Sequence, residues 1–162
     1  MVEAVRESDV LRAETVYFIR PGVGVVTWSP SCEAVHLEWQ GWADTAERKE
    51  LLEAGLNMLT EHRGTRWLAD CRDMRPVKQA DQDWIDRSWF PRILAAGLMR
   101  MAIVIPKSGL ARMNIEDILS RVPGTKLDTE CFATVENATE WLTRPHVNPR
   151  AARGLPADSR LY

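Results

Sequence analysis

The sequence predicts an α/β fold: one mixed sheet that opens as an N-terminal antiparallel meander and continues through alternating helix–strand units. Two observations carry this expectation. In residues 34–40, Val35, Leu37 and Trp39 alternate with His36, Glu38 and Gln40, the period of two of a strand with one buried face. Further on, Met101-Ala-Ile-Val-Ile105 is a continuous apolar run, which parallel strands show when both faces are covered.

The elements follow in order. Thr15–Arg20 is β-branched and aromatic, and Pro21-Gly22 closes it. Gly22–Trp28 is a second strand, and a turn-rich Ser29–Cys32 leads into the third. Asp44-Thr-Ala-Glu47 has the form of a capping box. Leu51, Leu52, Gly55, Leu56 and Leu59 then recur at helical spacing, with Gly64 as the expected stop. Arg66–Asp70 is a short apolar strand and Asp81–Leu98 a helical stretch. Pro91 lies inside that stretch; it lacks an N–H and clashes one turn back, so a bend or break is expected there. Leu110, Met113, Ile118 and Leu119 mark another helix, Thr129–Ala133 a strand and Asn137–Leu142 a final helix. Such alternation argues for right-handed parallel βαβ units.

Three parts are expected: an N-terminal extension (1–14), a domain (15–144) and a tail (145–162) carrying prolines and Arg150, Arg153 and Arg160. The 162 residues are 45% hydrophobic and 27% charged, which suits one globular domain rather than a disordered chain. A formal charge of −2 provides no general attraction to nucleic acid. The first residues are acidic where a signal peptide is basic, and no apolar run approaches the roughly 20 residues of a membrane span. A cytoplasmic location is the expectation. Cys32, Cys71 and Cys131 form no C-x-x-C pair, and His36, His62 and His146 are scattered. Reduced thiols and no metal site follow.

The residues Trp67-Leu-Ala-Asp-Cys-Arg-Asp-Met74, Asp81-Gln-Asp-Trp-Ile85, Trp89-Phe-Pro-Arg92 and Ala95-Ala-Gly-Leu98 resemble the STAS-like family. More narrowly, they are similar to bacterial SpoIIAA-like or STAS/Sec14-like proteins. Met101–Pro106 and Cys131–Leu142 fit the same pattern, so the resemblance spans Val23 to Leu142. It implies a mixed sheet flanked by helices and a regulatory module that recognises a protein partner. The Sec14-like side implies instead a carrier or sensor of a nonpolar small molecule or lipid. STAS domains that antagonise anti-sigma factors are switched by phosphorylation of a serine where the second helix begins. Here that junction, Arg75-Pro-Val-Lys-Gln-Ala-Asp81, holds no serine or threonine, so the resemblance does not carry the switch with it.

The candidate binding residues are Asp70, Arg72, Asp73, Arg75, Lys78, Trp84 and Trp89. The first five lie where the chain leaves a strand, the place where open α/β sheets bind ligands. Arginine forks suit carboxylates and phosphates, although Asp70 can equally pair internally with Arg72 or Arg75. Trp84 and Trp89 lie on the helix containing the proline and suit either a pocket wall or the core. Cys71 beside Arg72 has the charge environment of an activated thiol but no neighbouring histidine in sequence. Acidic pairs such as Asp81/Asp83 and Glu116/Asp117 fall in helix first turns or on exposed faces, where they suit the helix dipole. No G-x-G-x-x-G, P-loop or G-x-S-x-G occurs. A binding module without a cofactor is therefore favoured over an enzyme acting on an anionic substrate. Exposed strand edges and the arginine-bearing tail suit contact with a second copy.

Overall fold

A computed structural model describes residues 15–122 and 127–146, with the backbone alone for 15–17. The extension 1–14 and the tail from 147 onward lie outside the described residues. The strands are β1 (Thr15–Arg20), β2 (Gly24–Ser29), β3 (Ala34–Trp39), β4 (Arg66–Asp70), β5 (Arg100–Val104) and β6 (Asp128–Phe132). They lie side by side in chain order within one sheet. β1–β2 and β2–β3 are antiparallel, whereas β3–β4, β4–β5 and β5–β6 are parallel. The expected meander and βαβ units are both present.

The helices are α1 (Thr45–Glu61), α2 (Gln79–Trp84), α3 (Phe90–Ala95), α4 (Gly109–Arg121) and α5 (Val135–Thr143). Three successive crossovers each step to the next strand in the same direction. Right-handed connections of that kind bring their helices to one face of the sheet. The larger core accordingly joins α1, the 79–95 stretch and α4 to β2–β5. α5 packs across β4, β5 and β6 in a separate cluster containing Leu68, Ala102, Val104, Ala138 and Leu142.

Local chemistry sets the ends of these elements. Asp44 and Glu47 form the reciprocal capping box at the start of α1. At its other end Gly64 N–H reaches Leu59 O at 2.8 Å, but the left-handed residue is Arg63, with φ 50°. Gly64 therefore closes the helix end as expected, although it is not itself the left-handed residue. A Cβ there would lie 3.0 Å from the Trp28 ring, so a larger residue would push Trp28 slightly aside. The end of α5 is held by buried Arg100, which donates to Arg144 O at 2.7 Å and Trp141 O at 2.9 Å. A cation at this end satisfies orphan carbonyls and complements the helix dipole.

Pro91 does not break its helix. Ile85–Trp89 forms a π-helical turn between α2 and α3, in which Phe90 N–H donates to Ile85 O. The wider i→i+5 turn absorbs the lost N–H and the ring clash, so the chain stays helical through the proline.

Trp67 on β4 is fully buried and faces α1 at Gly55. A Cβ on Gly55 would fall 2.2 Å from the Trp67 ring. Gly55→Ala would favour the helix intrinsically by about 0.5–1 kcal/mol, but overpacking costs about 1–3 kcal/mol and should prevail. We expect the variant to unfold at lower urea with an unchanged m-value. A midpoint at or above wild type would show that Trp67 can move aside.

Candidate functional site

The site begins where β4 ends. Asp70 points away from the Trp67 face, because side chains alternate along a strand. Two main-chain bonds then join the β4 and β5 exits, from Cys71 N–H to Val104 O at 3.0 Å and from Lys107 N–H to Arg72 O at 3.1 Å. Val77 N–H also donates to Asn114 Oδ1 on α4 at 2.9 Å. The loop is thereby tied to both the sheet and a helix.

Asp70 is only 2% exposed. Arg72 grips it with two side-chain hydrogen bonds, Nε to Oδ1 at 2.9 Å and Nη2 to Oδ2 at 2.7 Å. Burial opposes ionisation of Asp70, but the hydrogen bonds from Arg72 outweigh it and hold the carboxyl below its ordinary range. The same bonds push the Arg72 guanidinium further up. Asp73 pairs with Lys107 at 3.1 Å in solvent. Arg75, Lys78 and Arg112 are exposed and have no carboxylate partner among the described residues.

Two crevices open here. One, of about 270 Å³, is lined by Gln40, Gly41, Arg72, Asp73, Arg75 and Lys107 among others. The second, of about 390 Å³, shares Arg72 and Lys107 and adds Pro106, Gly109 and Arg112. Large exposed apolar side chains lie next in the chain to lining residues: Trp42 follows Gly41 and is 65% exposed, while Leu110 follows Gly109 and Met113 follows Arg112, at 57% and 63% exposed. Sequence reasoning overlooked Trp42, Lys107, Leu110, Met113 and Arg112. Leu110 and Met113 mark the helix as the sequence predicts, and both face solvent.

The two tryptophans lie elsewhere. Trp89 is 2% exposed and donates its indole N–H to Leu52 O at 3.0 Å. It lines an internal apolar cavity of about 90 Å³ together with Trp39, Trp67, Met74 and Ile85. Trp84 is half-buried beneath Lys49 and Arg92. The structure thus brings Arg72, Asp73 and Arg75 to one crevice, with Asp70 behind Arg72, leaves Lys78 outside both crevices at the N-cap of α2, and separates the charged group from both indoles. The cavity wall also includes Arg48, buried to 3% exposure and 3.5 Å from Asp81 Oδ2. Burial lowers the Arg48 pKa despite Asp81. Asp81 is itself buried and accepts from Thr45 Oγ1 at 2.8 Å; it stands in the first turn of α2, as the sequence predicts, but not on an exposed face. Cys71 is buried as well, and burial and the Asp70 charge push its thiol well up. Its environment is thus the reverse of one in which Arg72 would activate the thiol.

A family model described as SpoIIAA-like matches residues 34–143. The chain belongs to the SpoIIAA-like family. No curated protein and no solved structure matches it. In this SpoIIAA-like domain α2 starts at Gln79, and its N-cap is Lys78 without a side-chain cap. No described helix is long and apolar enough to cross a membrane.

Asp70 has a depressed folded pKa, so its stabilising contribution is complete above the ordinary carboxyl value near ~4 and disappears as pH falls through the lowered value. Asp70→Asn should cost about 1–3 kcal/mol at pH 7, toward the lower end because Arg72 is half in solvent. Urea titrations of wild type and variant should converge in strongly acidic solution. A pH-independent difference would assign the loss to packing instead.

Proposed function

We propose that this SpoIIAA-like domain is a non-catalytic binding module that recognises a protein partner through the face at the carboxyl ends of its parallel strands. The observation that carries this reading is the pair of crevices lined by Arg72, Arg75, Lys107 and Arg112, with Trp42, Leu110 and Met113, all more than half exposed, next in the chain to the lining residues Gly41, Gly109 and Arg112. Exposed apolar groups rimmed by charge mark interaction surfaces, and tryptophan and arginine dominate binding energy in them. Asp70, Arg72, Asp73, Arg75 and Lys78 form the polar part of the proposed contact. A buried, protonated Cys71 supports binding over nucleophilic chemistry. The free cysteines suit a reducing cytoplasmic setting.

A second reading is favoured by the internal cavity: a nonpolar small molecule held beside the π-helical turn, a feature that recurs at functional sites. The cavity of about 90 Å³ is smaller than the ~150 Å³ that admits benzene. A lipid chain would fit only if the 79–95 stretch moved. Native mass spectrometry of protein purified from its source should show a retained mass under this reading; the bare chain mass alone counts against it.

For the principal reading, a partner cross-linked in source-cell extract should be lost from the double variant Trp42→Ala/Leu110→Ser. Truncating such an anchor costs about 2 kcal/mol or more, roughly a 30-fold loss of affinity, with thermal stability unchanged. Equal capture by wild type and variant would remove this face from consideration.

A further inference from the structure

We propose that the crevices around Arg72 form an oxyanion-recognition site that takes a phosphate or carboxylate group displayed by the partner. The inference rests on the placement of the contact face given above, and it specifies the chemistry which that face reads.

The two crevices meet at Arg72 and Lys107, with Arg75 lining one and Arg112 the other. Asp70 offsets Arg72 and Asp73 offsets Lys107. Glu38 and Asp73 also act on Arg72, but Arg75 and Arg112 have no carboxylate partner among the described residues, so the crevices keep a small positive excess although the whole chain is at −2. The start of α4 adds to it: Gly109 lines the second crevice, and a helix N-terminus favours anions.

Arg72 is the centre of the site because it is already held in place. Asp70 occupies the Nε–H and one Nη2–H. A guanidinium has five N–H donors, which leaves the other Nη2–H and both on Nη1 directed away from the buried carboxylate. The side chain is 46% exposed, so these donors can meet a partner. A free arginine must lose its rotamer freedom on binding, whereas here that freedom is lost on folding. Asp70 is therefore a positioning residue acting through Arg72. Both crevices exceed the size of one phosphate, which fits an oxyanion attached to a chain whose apolar neighbours meet Trp42, Leu110 or Met113.

The test is an NMR titration of the full chain with inorganic phosphate, then with a phosphoserine peptide and its glutamate counterpart. Amides of Arg72–Arg75 and Lys107–Ala111 should shift. Arg75→Ala/Arg112→Ala, which leaves the Asp70–Arg72 pair intact, should weaken phosphate binding on the order of tenfold. A tighter phosphopeptide identifies phosphate as the group read, and a tighter glutamate peptide identifies carboxylate. Asp70→Asn separates positioning from simple charge. Removing a negative charge should tighten anion binding electrostatically, whereas a loosened Arg72 should weaken it several-fold in a variant that remains folded at pH 7. Tighter binding would overturn the positioning role. Absent shifts, or shifts that survive the double arginine change, would reduce the result to an adventitious ion only and overturn the site. If phosphate binding fails while Trp42→Ala/Leu110→Ser still loses the partner, the contact face stands without oxyanion recognition.

Discussion

The packing of Trp67 against Gly55 is the contact on which the architecture depends. Trp67 lies on a central strand, with α1 on one side of its ring and Trp89 edge-on at 5.3 Å on the other. Glycine at position 55 lets the α1 backbone approach an indole that any side chain would displace. That approach sets the depth of α1 over the sheet. It also fixes one wall of the internal cavity, which Trp67 and Trp89 both line.

The same strand supplies the surface site, because β4 alternates. Trp67 and Ala69 belong to the helix-covered core, Leu68 to the α5 side, and Asp70 follows Leu68 in parity. A strand whose far end carries a buried carboxylate needs a cation at once, and Arg72 is the nearest available. The loop is then pinned to the β5 exit by Cys71 N–H and Lys107 N–H, which brings the two basic crevices side by side. Core packing and surface chemistry are thus two ends of one short strand.

Two further buried cations show how charge is accommodated inside. Arg100 ends α5 by donating to its last carbonyls and stacks on Trp141 at 4.0 Å. Arg48 is less well satisfied: its Nη2 reaches Ala43 O at 3.4 Å, and Nε faces Asp81 at 3.5 Å without a hydrogen bond. Buried ion pairs are weak evidence for stability because desolvation offsets much of their attraction. Arg48 and Asp81 instead tie α1 to α2 beside the cavity, a long-range link within an otherwise apolar layer.

Local patterns were enough to determine the strands, the capping box at Asp44 and the order of elements, because periodicity and capping depend on neighbours a few residues apart. The charged loop from Asp70 to Lys78 was legible for the same reason: its residues are adjacent in the chain. Tertiary structure alone decided that Asp70 pairs with Arg72 rather than Arg75, that Trp89 is interior, and that Asp81 is buried against Arg48. It alone also brought Gln40, Gly41, Lys107 and Arg112 beside the loop from separate parts of the chain. Burial and pairing across 30 or more residues depend on which strand ends lie side by side, and no local period encodes that.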